Sequence, residues 1–161
     1  MDVRGEPTNR ISTKALNVWR ISNAFSALIP WVVFGGLLAM YYIFQWPLWI
    51  SGIALIIAFL YTILAVFLFP KLRWKRWRYE VRDHEIEIQR GVFIISRTIV
   101  PMVRVQHVDT VQGPILRKYD LATVLISTAA TVHEIPALDI KEADELRHTI
   151  SMLARVAKED V

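Results

Sequence analysis

The polarity pattern divides the chain into three stretches. Between Ile21 and Pro70 there is no Lys, Arg, Asp or Glu. A hydrocarbon core roughly 30 Å thick takes about 20 apolar residues per spanning helix, so this run is too long for one span and suits two. The break falls at Gln45-Trp46-Pro47, the most polar point of the middle, and Pro47 suits the first turn of a new helix. The pattern predicts spans over residues 24–44 and 48–69, about 31–33 Å each at ~1.5 Å per residue. Pro30 predicts a kink or a helix restart inside the first span. Ahead of the run, residues 1–12 are polar and read as loose. From about Thr13, the apolar Ala15, Leu16, Val18, Trp19 and Ile21 predict a helix at the inner interface, so residues 1–23 form an N-terminal segment with an interfacial helix.

After Pro70 the period changes to two. Trp77, Tyr79 and Val81 alternate with Arg78, Glu80 and Arg82, which predicts a strand with one buried face. Asp83-His84 reads as a turn, and Ile86 and Ile88 alternating with Glu85, Glu87 and Gln89 complete a hairpin. Residues 92–100, after Gly91, predict one bent strand or two short ones, with Pro101 at an edge or bulge. Val103, Val105 and Val108 continue as a strand. Gln112-Gly113-Pro114 signals a turn, followed by one helical turn over residues 115–119. Residues 123–128 are a clear strand, and 131–135 another, ended by Pro136. Asp139 with Glu142 fits a capping box. Beyond it, Ala143, Leu146, Ile150, Leu153 and Ala157 form one apolar stripe, the signature of a helix packed on a sheet. The fold class is therefore an α+β membrane protein: a two-helix hairpin over residues 24–70, then a small antiparallel β domain over residues 71–161 closed by a C-terminal helix.

Two other readings of the apolar run fare worse. A buried helical pair in a soluble protein needs an apolar surround that the rest of the chain does not supply. A cleaved signal peptide does not lead straight into a second span. The flanks set orientation. Arg10, Lys14 and Arg20 precede the first span, five basic residues follow the second, and the link between spans has none. The positive-inside rule then places both termini in the cytoplasm. Trp19, Trp46, Trp49, Trp74 and Trp77 lie near the expected interfaces and read as anchors. Within the second span, Ser51, Ala54, Ala58, Thr62 and Ala65 share one helical face, with Gly35, Gly36 and Ala39 as a counterpart in the first, and small residues allow close approach in lipid.

Composition agrees: 54% of residues are hydrophobic and the net charge is +4, with a mean hydropathy of +0.35. The absence of cysteine excludes disulfides, thiolate metal sites and cysteine nucleophiles. His84, His107, His133 and His148 have no ligand partner at metal spacing, and no nucleophile, Walker or dinucleotide motif occurs. No catalytic, metal or cofactor site is expected. The strongest candidate surface is Lys71, Arg73, Lys75, Arg76 and Arg78, interleaved with Trp74 and Trp77 at the membrane exit. Topology alone accounts for such a run. Contact with anionic headgroups is the sharper reading, and nucleic acid comes third and is not expected as a partner, because the aromatic residues lie at bilayer depth and no binding motif accompanies them.

Several short motifs carry a family likeness. They are Trp77-Arg78-Tyr79-Glu80-Val81, Ile88-Gln89-Arg90-Gly91-Val92-Phe93, Arg97-Thr98-Ile99-Val100-Pro101, Val103-Arg104-Val105-Gln106-His107-Val108, and Gln112-Gly113-Pro114-Ile115-Leu116-Arg117 with Leu121-Ala122. With Lys14-Ala15-Leu16 and Trp19-Arg20 ahead of the hairpin, the chain resembles the bacterial PH-like domain membrane proteins of the YdbS-like family from about residue 13 to 155. The resemblance implies a PH-like fold, no enzymatic activity and no cofactor. It also implies a larger membrane protein with several related PH-like domains as a partner. Where the family has Gly before Leu-Ala, this chain has Asp120, which tolerates a left-handed turn. The expected function is a membrane-anchored interaction module that meets another protein, or a second copy of itself, at the cytoplasmic face. The alternative is an anionic-lipid-binding module that senses or protects the inner leaflet.

Overall fold

The computed structural model describes residues 5–159, so the first four residues of the expected loose N-terminus and the last two of the C-terminal domain lie outside the described residues. The chain forms two units: Leu16–Leu72, and Arg73 onward together with the residues up to Ala15.

The first unit is a helical hairpin. Helix α1 runs over Ala15–Phe44 and α2 over Leu48–Ile63, followed by a π-helical turn Leu64–Leu68 and helix α3, Phe69–Arg76. Two helical stretches, Ala15–Phe44 and Leu48–Arg76 (α2 through α3), are long and apolar enough to cross a membrane. Between them Gln45 adopts φ 58° and its N–H donates to the Tyr41 carbonyl, which closes α1 in a left-handed turn. Two expectations change. There is no separate interfacial helix, because α1 is continuous from Ala15. Pro30 does not restart the helix: it lies within α1, where its ring removes one N–H without ending the segment.

The small face of α2 packs inside the hairpin. Ser51, Ala58 and Ala65, seven residues apart, are buried. The Ser51 hydroxyl donates to the Leu37 carbonyl at 3.4 Å, Trp31 donates to Thr62 Oγ1 at 3.1 Å, and Asn23 donates to the Ala65 carbonyl at 2.8 Å. Gly35, Gly36 and Ala39 are exposed, and a Cβ added to either glycine meets nothing within 4 Å. At 3.6 residues per turn they rotate away from the α1 stripe that carries buried Ala27 and half-buried Phe34 and Leu38. The expected counterpart of small residues is thus Ala27, not Gly35 or Ala39.

The second unit holds two antiparallel sheets. Strands β1 (Asn9–Arg10), β2 (Arg78–Val81), β3 (Glu85–Arg90) and β4 (Ser96–Pro101) form one sheet in that order. Strands β5 (Val105–Val111), β6 (Leu121–Thr128) and β7 (Val132–Asp139) form the other. A 3-10 turn, Met102–Arg104, links β4 to β5, and the short α4 (Pro114–Lys118) precedes β6. Helix α5 (Ile140–Glu159) packs on β5, β6, β7 and the 3-10 turn with Ala143, Ile150 and Ala154 buried. The core gathers Tyr79, Ile86, Ile88, Val100, Met102, Val105, Val124, Ile126, Ile135 and Leu138.

Several local expectations are corrected. The N-terminal segment is not loose where it is described: β1 pairs with β2, Ile11 is buried, and the Ser12 N–H donates to the Ala137 carbonyl. Residues 92–95 form an exposed turn, because the chain reverses at Gly91. Strand β7 continues through Pro136 to Asp139, with a register shift opposite Ala122/Val124 and Ala137 at φ 53° absorbing the irregularity. Asp120 takes the left-handed turn at φ 54°. Asp139 and Glu142 serve other partners: Asp139 accepts from Lys14 Nζ at 2.8 Å, and Glu142 accepts from the Tyr79 hydroxyl at 2.7 Å. That bond ties the first sheet to α5. Burial, and then the Glu142 carboxylate, hold the Tyr79 phenol well above its ordinary value.

Candidate functional site

The sequence-derived basic residues separate into two groups. Lys71, Arg73, Lys75 and Arg76 lie on α3 with exposed side chains. Arg78 lies on β2 and is engaged, pairing with Glu6 at 3.2 Å and donating to the Pro7 carbonyl, so it is withdrawn from the headgroup set. The aromatic anchors divide as well. Trp46 and Trp49 are exposed around the hairpin tip, and Trp19 is half-buried. Trp74 donates its indole N–H to the Ile11 and Ser12 carbonyls at 3.3 and 3.2 Å, with the Arg10 guanidinium 5.9 Å from its ring centroid. Trp77 is only 2% exposed and belongs to the domain core. A β-strand alternation that begins at Trp77 sends its ring inward with Tyr79, which excludes it as an interfacial anchor.

The outer face of the first sheet carries a charge network that alternation did not reveal. Glu87 and Gln89 are buried, although Ile86 and Ile88 supply the core side of the same strand. Arg82 lies 3.3 Å from Glu87 and also pairs with Glu80 and Glu85 at 3.1 and 3.2 Å. Arg97 stands 4.0 Å from Glu87 and donates to Gln89 Oε1 at 3.0 Å. A buried carboxylate needs such compensation. No local signal in the sequence joins these residues: Arg82 comes from the turn after β2 and Arg97 from β4.

Among the described residues strand β4 ends its sheet, paired on one side with β3. Beside it lies a groove of about 590 Å³, lined by Ile99, Val103, Arg104, Thr131, His133 and Lys158 among others. Ile99 and Val103 are 42% and 43% exposed. The floor is mostly apolar and the rim basic. Burial, and then the nearby Arg90 charge, lower the His133 pKa below its ordinary value, so near neutral pH the cationic character of this rim comes from Arg104 and Lys158. An end strand beside an apolar groove is the arrangement that accepts an added strand. Among the described residues no group of His, Asp and Glu is placed to hold a metal ion. The His107 imidazole lies 3.4 Å from the Asp109 carboxylate on β5, both side chains exposed.

Comparison with known proteins places this geometry. The pattern of the bacterial PH domain family matches residues 24–154. The chain is 54% identical over 159 residues to the UPF0699 transmembrane protein YdbS of Bacillus subtilis (strain 168), covering 99% of this chain and all of that protein. It is 24% identical over 104 residues to the UPF0699 transmembrane protein YdbT of the same organism, covering 62% of this chain and 20% of that protein. No solved structure matches. Two antiparallel sheets closed by a C-terminal helix, two apolar helices ahead of them, and a transmembrane relative matched from end to end agree: this chain is a transmembrane member of the bacterial PH domain family.

Proposed function

We propose that this chain is a non-enzymatic, multi-pass interaction module of the cell membrane, a subunit of a membrane complex that presents its PH-like domain at the cytoplasmic face. The observation that carries this reading is the open edge of β4 beside its apolar, basic-rimmed groove. Backbone groups on an end strand offer affinity, and the groove offers side-chain selection. The complementary occupant is an extended segment with apolar side chains and acidic flanks. The basic residues on both sides of the hairpin, with none in its link, support cytoplasmic termini.

The partner proposed is a larger membrane protein with related PH-like domains. Support comes from the similarity to YdbT, whose alignment with this chain takes up only a fifth of its length. Co-expression with the larger relative from the same organism, followed by purification in mild detergent, tests this. The expected result is a stable complex that Ile99→Asp abolishes, since the substitution puts a charge on the groove floor. Recovery of the wild-type chain alone under several mild conditions would contradict it, and recovery of a homodimer would reassign the edge to self-association.

A second reading is contact with anionic lipid, favoured by the exposed side chains of Lys71, Arg73, Lys75 and Arg76 on α3. Each basic residue near an anionic surface contributes about 1 kcal/mol. Reversing the charges at Arg73, Lys75 and Arg76 is expected to lower the anionic fraction of lipid retained through purification, measured by mass spectrometry. An unchanged lipid profile would rule this reading out.

A further inference from the structure

Between β3 and β4 the chain reverses through Gly91-Val92-Phe93-Ile94-Ile95. Gly91 adopts φ 125°, and a Cβ there would lie 1.8 Å from the Ile94 carbonyl oxygen, so the turn requires glycine. The tip it holds out is apolar. Phe93 and Ile94 are 83% and 84% exposed, more than any other large apolar residue described, including those on the outer faces of α1 and α2. Adjacent apolar side chains this exposed on a short turn mark an interaction site.

Two features identify the occupant. The first is charge: Arg90 and Arg97 flank the turn in sequence, and Arg73 and Arg90 line one cleft of about 300 Å³ with Gly91, Val92 and Ile94, against the single carboxylate of Glu134. The second is position along the chain. Arg73 follows Phe69, the last apolar residue of the second span, by four residues of continuous helix. That is about 6 Å of rise, which puts its backbone at headgroup level. An apolar tip with a cationic collar matches a bilayer, which is anionic at its surface and apolar beneath.

We propose that the 92–95 turn is a bilayer wedge, with Phe93 and Ile94 inserted into the leaflet from which the second span emerges and Arg90 at the headgroups. The wedge is separate from partner docking at β4. It shares the membrane surface and Arg73 with the headgroup reading of α3.

The chain has no cysteine, so Ile94→Cys provides a single labelling site in the full-length protein. A polarity-sensitive nitrobenzoxadiazole label is placed there and the protein reconstituted in phosphatidylcholine vesicles, with or without phosphatidylglycerol. Label at 94 is expected to emit at shorter wavelength and to be quenched several-fold more by nitroxide lipid than by aqueous iodide. Label at Asp109→Cys, on exposed β5, shows the reverse. Arg90→Glu is expected to reduce nitroxide quenching about twofold when phosphatidylglycerol is present, through loss of its attraction to anionic lipid. Insertion with lipid preference at Arg73, Lys75 and Arg76 absent would keep the wedge and remove the headgroup reading. Equal iodide access at 94 and 109 in both vesicle types would overturn the wedge. So would protection at 94 that appears only when a second protein is co-reconstituted, an outcome that assigns the turn to a protein partner. An unchanged circular dichroism melt confirms that the labelled variants fold.

Discussion

Trp77→Ala is expected to destabilise the PH-like domain by about 3–5 kcal/mol, the usual cost of deleting a buried tryptophan side chain. The ring is 2% exposed at the start of β2, so its removal loses transfer free energy and leaves a cavity that the surrounding strands close only in part. A domain of this size shifts its midpoint by roughly 4–8 °C per kcal/mol, so the melt should fall by roughly 12–40 °C, or the domain should fail to fold. The check is thermal unfolding of the full chain in detergent, followed by near-ultraviolet circular dichroism. Trp49→Ala, at an exposed position on α2, serves as the comparison and is expected to leave the domain transition in place. A Trp77→Ala melt as mild as that of Trp49→Ala would return Trp77 to the role of an interfacial anchor. Trp77→Phe, which keeps most of the apolar volume, is expected to fall between the two.

Ala58→Leu is the corresponding expectation for the hairpin. Ala58 is completely buried between Ser51 and Ala65 on the face that exchanges hydrogen bonds with α1. In lipid, helices associate by close packing rather than by exclusion from water. A larger side chain at the contact therefore separates the helices along their length and lengthens the Ser51 to Leu37 and Asn23 to Ala65 bonds. Overpacking of this kind costs about 1–3 kcal/mol. A disulfide trap reads it directly in this cysteine-free chain, with Leu37→Cys and Ser51→Cys as the reporting pair. Cross-linking is expected to be fast in the Ala58 background and several-fold slower in the Ala58→Leu background, because disulfide formation needs the two Cβ atoms close. Ile56→Leu, on the exposed outer face, is expected to leave the rate unchanged. Equal rates in all three would place the small face against another subunit.

The elements most legible in the sequence were those set by periodicity. An uncharged run of two span lengths and the stripe of α5 each come from one local pattern that the structure follows, and the alternation in β3 marked a strand there although not which of its residues are buried. What escaped depends on partners distant in sequence. The Asn9–Arg10 strand exists because β2 offers it an edge, and a two-residue strand has no period. Glu87 reads as solvent-facing from alternation alone, and only the approach of Arg82, from the turn after β2, and Arg97, on β4, permits its burial. The exposed turn at Phe93 and Ile94 is composed of good strand residues. Its conformation is governed by Gly91, whose φ of 125° outweighs the local β propensity. Of the candidate sites, the basic run on α3 was visible as composition, whereas the β4 groove assembles residues from β4, the 3-10 turn, β7 and α5 that no motif joins.

Hydrogen exchange of the full chain, alone and in complex with the larger relative, tests the central claim most directly. If a partner strand adds to the open edge, amide exchange across Ser96–Pro101 slows in the complex, while the interior strand β6 keeps the protection it has alone. That pattern, lost with Ile99→Asp, is the expected result. A complex that forms with no change in β4, or with protection confined to α5 or the 92–95 turn, would contradict docking at this edge.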